Sequence, residues 1–257
     1  MEFSSLASGS SGNCFFVESE GSSVLIDAGI SCKQIEERLG LIGKSPEDIK
    51  ALFITHEHID HIRGADVFSR KNEVPIYMNK KTFEAAEGYF SDDAMIKKMP
   101  TDFEANIRKL SVSSIKKSHD AIDPVSYSIE GKNKKISVLT DIGYSCNNVI
   151  KNIKNSDALF LESNHDPRML EVGPYPPYLK ARIKSDLGHL SNYEAALTVL
   201  EHAPSKLKNI CLSHISLNNN TPKLALSTFL MFLKEREDLK PKLELTYREK
   251  PTELFRI

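Results

Sequence analysis

The sequence predicts a single α+β domain over residues 1–257, and three observations carry that expectation. Short apolar, β-prone runs alternate with stretches of helical periodicity along the chain. Several of the short runs stop at a polar residue, Asp27, His56, Asp141, Glu162 and His214 among them, so side chains with chemistry collect where strands end. A chain of 257 residues also suits one large domain that buries on the order of 70–75% of its unfolded surface.

The small-residue loop at 7–13, Ala-Ser-Gly-Ser-Ser-Gly-Asn, reads as a tight turn into a strand at 14–18, and its spacing is not that of a P-loop. A hairpin turn at Glu20-Gly21-Ser22 leads to a second strand at 23–27. Ser31 caps a helix with Ile35, Leu39 and Ile42 on one face. The apolar strand at 51–55 runs into His56. After it come a helix at 64–71, a strand at 74–78 and an amphipathic helix at 80–90. Residues 91–105 are polar and irregular, a loop for which a lid, a dimer contact and a plain connection are all open. An alternating segment ends at His119, and strands follow at 125–130, 135–140 and 158–161, the last before Glu162. A helix begins near Asn192, and a strand ends at His214. Thr221 and Pro222 start a helix to about residue 237 with Leu224, Ser227, Leu230 and Met231 as its buried face, and strands at 243–247 and 253–257 close a sheet.

Residues 56–61, His-Glu-His-Ile-Asp-His, are the densest chemistry in the chain. In an extended segment His56, His58 and Asp60 point one way, and His61 turns in as the chain bends toward a helix. Three imidazoles and one carboxylate suit zinc, manganese or iron(II). A single four-coordinate ion rarely takes four ligands from so short a stretch, so the excess points to two divalent metal ions.

His-x-His-x-Asp-His directly after a strand resembles the metallo-β-lactamase fold superfamily. The resemblance implies an αββα sandwich, two packed mixed β-sheets flanked by helices, with metals at its edge. It implies that Asp27 holds the histidine loop without binding metal, that His119 is the third ligand of one ion, and that Asp141 bridges the two. After Asp141 come Glu-Ser-Asn-His-Asp at 162–166, Gly-His-Leu-Ser-Asn at 188–192 and Leu-Ser-His at 212–214, an order similar to the nucleic-acid-processing branch with RNase Z and the RNase J/CPSF-type nucleases. Taken from Ser5 to about Pro222, the motifs resemble most the small bacterial proteins of the YycJ/WalJ type, regarded as DNA exonucleases. No long insertion separates Asp141 from His189 and no RNase Z-like arm is apparent, which weakens an RNA-processing reading.

The resemblance thus implies His56, His58 and His119 on one Zn²⁺ or Mn²⁺ (iron also being admissible), Asp60, His61 and His214 on the other, and Asp141 between them. Asp60, His189 and Glu162 form the implied catalytic set, with Glu162 orienting the ring of His189. The implied activity is a phosphodiesterase, an exonuclease acting on DNA through a metal-bridging hydroxide. The alternative is a hydrolase of RNA or of a small phosphodiester, thioester or lactone. His165 and Asp166 stand in a motif without an assigned task, and His202 reads as a surface residue.

A formal net charge of −1 shows no general bias toward nucleic acid, although Lys116, Lys117, Lys180, Arg182 and Lys184 are candidates to track its backbone, or only a solvated surface. No stretch approaches the roughly 18 apolar residues of a membrane span, so no membrane partner is expected. The four cysteines are far apart and read as free thiols, and with no signal-like N-terminus the cytoplasm is the expected location.

Overall fold

In the computed structural model, which describes residues 1–257, the chain separates into two units. Unit 1 comprises Met1–Lys116, Ala121–Lys134 and Tyr247–Ile257, and unit 2 comprises Lys117–Asp120 and Lys135–Thr246.

Unit 1 carries β1 (Glu2–Ala7), β2 (Cys14–Ser19), β3 (Ser22–Ile26), α1 (Cys32–Leu41), β4 (Ile49–Phe53), α2 (Ile59–Ile62), α3 (Ala65–Asn72), β5 (Ile76–Asn79) and α4 (Lys80–Ala86). It continues with β6 (Ile96–Met99), β7 (Glu104–Ile107), β8 (Leu110–Lys116) and β9 (Val125–Gly131), and the C-terminal β14 (Phe255–Arg256) returns to it. One sheet runs in the order β14-β1-β2-β3-β4-β5-β6. It is antiparallel through β3 and parallel from β3 to β6. The β2–β3 hairpin turns on Glu20 and Gly21, both at positive φ, the geometry that matches strand twist in a two-residue turn.

The parallel β3–β4 pair decides where chemistry emerges. With Ile26 aligned to Phe53, the two strands end at the same edge, and Asp27 leaves one beside Thr55 and His56 leaving the other. Behind them Leu25, Leu52, Ile35, Leu39 and Phe68 pack in a fully buried cluster. Ser31 caps α1 through a capping box with Gln34. Strands β7, β8 and β9 pair antiparallel, and Tyr127 of β9 donates its hydroxyl to the Ile54 carbonyl at 2.8 Å.

Unit 2 carries β10 (Lys134–Leu139), α5 (Asn147–Asn155), β11 (Ala158–Glu162), α6 (Pro167–Val172), α7 (Pro177–Ile183), α8 (Asn192–His202), β12 (Asn209–Ser213), α9 (Pro222–Leu233) and β13 (Lys242–Leu245). Its four strands pair parallel in the order β10-β11-β12-β13. Leu139, Leu161, Leu212 and Leu245 align across the ladder, all but the last fully buried. Because parallel strands end together, Asp141, Glu162 and His214 follow at one edge. Val149 and Ile153 of α5, Ala195 and Val199 of α8, and Ala225 and Phe229 of α9 supply the buried helix faces.

Several expectations are corrected. Residues 91–105 contain β6 and the start of β7. β6 reads Ile-Lys-Lys-Met and lies at a sheet edge, where exposed lysines block further pairing and make a strand look like a loop. In α9, Leu230 and Met231 are more than half exposed and Ala225 and Phe229 are buried, so the apolar face is rotated from the expected one. The last two strands do not close one sheet, since β13 edges the strands of unit 2 and β14 those of unit 1. No helix is long and apolar enough to cross a membrane.

Candidate metal centre

In unit 1 the histidine loop is fixed by backbone interlock. Asp27 donates its N–H to the Phe53 carbonyl, Ala28 to that of His61 and Gly64 to that of Ala28, all at 2.7–2.8 Å. Gly29 lies against this crossing, where a Cβ would meet the Asp60 carbonyl oxygen at 1.6 Å. Thr55 donates its N–H to Asp27 Oδ1 at 2.8 Å, and Asp27 Oδ2 accepts from His61 Nδ1 at 2.7 Å. The Thr55 hydroxyl, 3.0 Å from Asp27 Oδ2, donates to it and so accepts from His56 Nδ1 at 2.9 Å. The effect is to fix both rings by Nδ1 and to leave Nε2 of each facing the loop's other ligand atoms. His56 Nε2 lies 3.1 Å from His58 Nδ1, and His61 Nε2 lies 3.5 Å from Asp60 Oδ2.

Asn13, which sequence reasoning left inside a tight turn, belongs to this half as well. Its Nδ2 lies 3.4 Å from Asp60 Oδ2 and 3.2 Å from His61 Nε2, while its Oδ1 accepts from Gly9 N at 2.9 Å. Neither Asn13 nor Thr55 is a residue type that signals a metal site. The usable signal was their position, one at the close of a glycine-serine loop and one immediately before the first histidine.

In unit 2, one ligand atom from each of Asp141, Glu162, His189 and His214 lies within 4.8 Å of every other. Glu162, fully buried, is the hub. Its Oε1 accepts from His189 Nδ1 at 2.8 Å and His214 Nδ1 at 3.1 Å, and its Oε2 from the N–H groups of Ile142 at 2.8 Å and Leu190 at 3.2 Å. Four donors occupy this carboxylate, which makes it a holder of rings and not a natural ligand. Burial by itself would raise its pKa, but the charge of His189 and the hydrogen bonds of both imidazoles outweigh it and hold the carboxyl below its usual range.

With Nδ1 held, His214 turns Nε2 to within 3.5 Å of Asp141 Oδ1. His119 donates Nδ1–H to the Gly188 carbonyl at 3.1 Å and directs Nε2 to 3.9 Å from the same oxygen. Burial pushes the His119 pKa down to about 3, against the pull of Asp141, and keeps the ring in the neutral form that binds metal. Asn164, a further residue missed from sequence, donates to the His214 carbonyl at 3.0 Å. His189 is one-fifth exposed, the most accessible imidazole of this cluster.

Three residues at strand ends, Asp27, Asp141 and His214, have φ between 54° and 63°, in the left-handed region. Such backbone costs of order 1–3 kcal/mol per residue and persists where its surroundings over-determine it. Lys117 is corrected: it is buried and donates Nζ to the Thr140 carbonyl at 2.7 Å, so it does not face solvent. Arg182 pairs with Asp120 and Lys184 with Glu171. His202 is half-buried at the end of α8, and the cysteines are free thiols.

Imidazole Nε2 atoms backed by carboxylates and carbonyls, set against aspartate oxygens, are the donor set of a divalent cation. A family model described as the metallo-beta-lactamase superfamily matches residues 7–214. The exodeoxyribonuclease YycJ of Bacillus anthracis is 38% identical over 244 residues, 92% of this chain and 90% of its own. The exodeoxyribonuclease WalJ of Streptococcus pneumoniae is 39% identical over 233 residues, 89% of this chain and 87% of its own. Among solved structures, the metallo-beta-lactamase fold protein YhfI from Bacillus subtilis is similar with a TM-score of 0.73, over 98% of this chain and 99% of its own, at 14% identity, a likeness of fold. The fold is the α+β arrangement of two mixed sheets with flanking helices that the sequence led us to expect. With that family model matched over residues 7–214, most of its length, the chain belongs to the metallo-β-lactamase superfamily.

Proposed function

We propose that the chain is a two-metal phosphodiesterase that removes nucleotides from DNA ends, its two units acting as one catalytic domain over residues 1–257. The observation that carries this reading is the Glu162 hub, which orients one accessible imidazole, His189, beside the aspartate-histidine set. The relatives named exodeoxyribonucleases supply the polymer class.

In this reading His56, His58 and His119 hold one ion, Asp60, His61 and His214 the other, and Asp141 is shared. When bound, a pair of Zn²⁺ or Mn²⁺ ions neutralises charge on a phosphodiester and brings water to ionise near neutral pH. Asp27 and Thr55 keep the His61 and His56 rings from rotating, so their Nε2 atoms stay presented. His189 works at the leaving group. Its Nδ1–H is bound to Glu162, whose negative charge stabilises the imidazolium, and its Nε2–H then donates to the departing oxygen.

The test is hydrolysis of end-labelled double- and single-stranded DNA and RNA by the purified protein with added Mn²⁺ or Zn²⁺, beside Asp141→Ala and His189→Ala. Stepwise shortening of DNA, reduced at least about 10³-fold in both variants, is the expected result, equivalent to about 4 kcal/mol of transition-state stabilisation. If only RNA is cut, the substrate assignment fails. If no polynucleotide is cut by a protein that holds its metals, the nuclease reading fails altogether.

A further inference from the structure

Unit 2 contains a second feature that the metal cluster does not use. A cavity of about 300 Å³ is lined by His165, Pro167, Lys184, Ser191, Tyr193 and Glu194. The polar groups of its α8 edge are already spent, because Ser191 and Glu194 form the helix's capping box. His165 is different. Its side chain belongs to a residue only 3% exposed, and its Nδ1 has no hydrogen-bond partner in the protein. An unmet buried ring nitrogen costs on the order of 1–3 kcal/mol unless something else reaches it. The imidazole ring itself is part of the cavity lining.

The other lining groups describe the ligand's chemistry. Tyr193 is about half exposed, and it meets Phe232 edge to face at 5.0 Å, so a ring face remains for stacking. Pro167 offers a second flat apolar surface. Lys184 places a cation at the rim, where Glu171 is its present partner. Position matters too: His189 stands two residues before Ser191 of the cavity wall, and Asn164, next to His165, bonds the His214 carbonyl.

We infer that this cavity receives the base of a nucleotide, the ring stacked on Tyr193 beside the His165 imidazole, and the attached phosphate directed to Lys184. The volume suits one nucleotide and not a longer segment. Stacking on an aromatic side chain tolerates every base, which is what an exonuclease needs of a terminal subsite. The inference rests on reading the neighbouring cluster as a phosphodiester-cleaving centre.

The experiment is a calorimetric titration of the purified protein with dAMP, deoxyribose 5-phosphate and inorganic phosphate, repeated on Tyr193→Ala and His165→Phe. The wild type is expected to bind dAMP at least about tenfold more tightly than deoxyribose 5-phosphate or phosphate, and Tyr193→Ala to lose about tenfold for dAMP alone. Tyr193 is exposed, so this variant tests the site without disturbing the core, and His165→Phe is compared only if its thermal unfolding matches the wild type. Equal binding of dAMP and deoxyribose 5-phosphate, or an unchanged dAMP affinity in Tyr193→Ala, overturns the inference. Because binding is read without turnover, the two ideas fail separately. Base-dependent binding without DNA hydrolysis sinks only the nuclease reading, and hydrolysis with base-independent binding sinks only this one.

Discussion

The two units present the same kind of donors by opposite means. In unit 1 the ligand candidates are contiguous, His56 to His61, and the crossing of backbone between 27–29 and 60–64 holds them. In unit 2 they come from separate segments, His119, Asp141, His189 and His214, and one buried carboxylate, Glu162, ties two of the rings. The contiguous site is placed by main chain, with Asp27 and Thr55 turning its rings, whereas the dispersed one depends on a single side-chain hub. The first kind of support is therefore vulnerable to a change in volume, the second to a change in charge.

The largest effect should follow from Gly29→Ala. Its Cβ would stand 1.6 Å from a backbone oxygen that no rotamer change can move, so the histidine loop must be displaced. A loss of more than about 3 kcal/mol in unfolding free energy is expected, together with loss of bound metal, measured by denaturant titration and elemental analysis. A variant of wild-type stability and metal content would break the contrast drawn here.

Glu162→Gln comes next. The amide keeps the volume but loses the charge, and it sets an N–H₂ against donors already in place. Activity should fall about 10²-fold or more while the secondary structure seen by circular dichroism stays the same. The pH–rate profile should change as well, a readout that a purely structural role would leave in place. A variant with full activity and the wild-type profile would reduce Glu162 to a structural cap.

The smallest effect concerns acid. Burial holds the His165 pKa down to about 4, from an ordinary value of 6.5. Between those values the unfolded chain binds a proton that the folded chain refuses, so this group leaves stability intact above pH 6.5 and removes it as pH falls toward 4. The full extent is about 3 kcal/mol, approached only at the low end of that window, with a fraction of it felt near pH 6. Unfolding free energies measured across that range should decline with pH, and His165→Phe should flatten the slope. Identical slopes for the two proteins would show that His165 does not titrate differently on folding.

The same contrast explains what was legible from sequence. Donors packed into residues 56–61 after an apolar strand declare themselves, because spacing along the chain is spacing in the site. His119 by itself says little, and the order of the later motifs, not their local pattern, is what made it a candidate. Asn13, Thr55 and Asn164 act through hydrogen bonds made across the fold, which residue type does not announce. The fold shows a similar limit: β3, β4 and β11 are apolar and easily seen, whereas β6 is polar because edges must be. In α9, a helix apolar on nearly every side, periodicity could not select the inner face, and Ala225 won over bulkier Leu230.

The left-handed backbone at Asp27, Asp141 and His214 sets a conflict between two kinds of preference at the same positions. Glycine would occupy such φ values with less steric penalty, and asparagine tolerates them better than most residues. Conformational preference therefore pulls these positions away from aspartate and histidine, and only the chemistry of their side chains pulls back. At these three positions folding and chemistry favour different residues, so the strain is maintained by what the side chains do and is supported by the packing of the rest of the molecule.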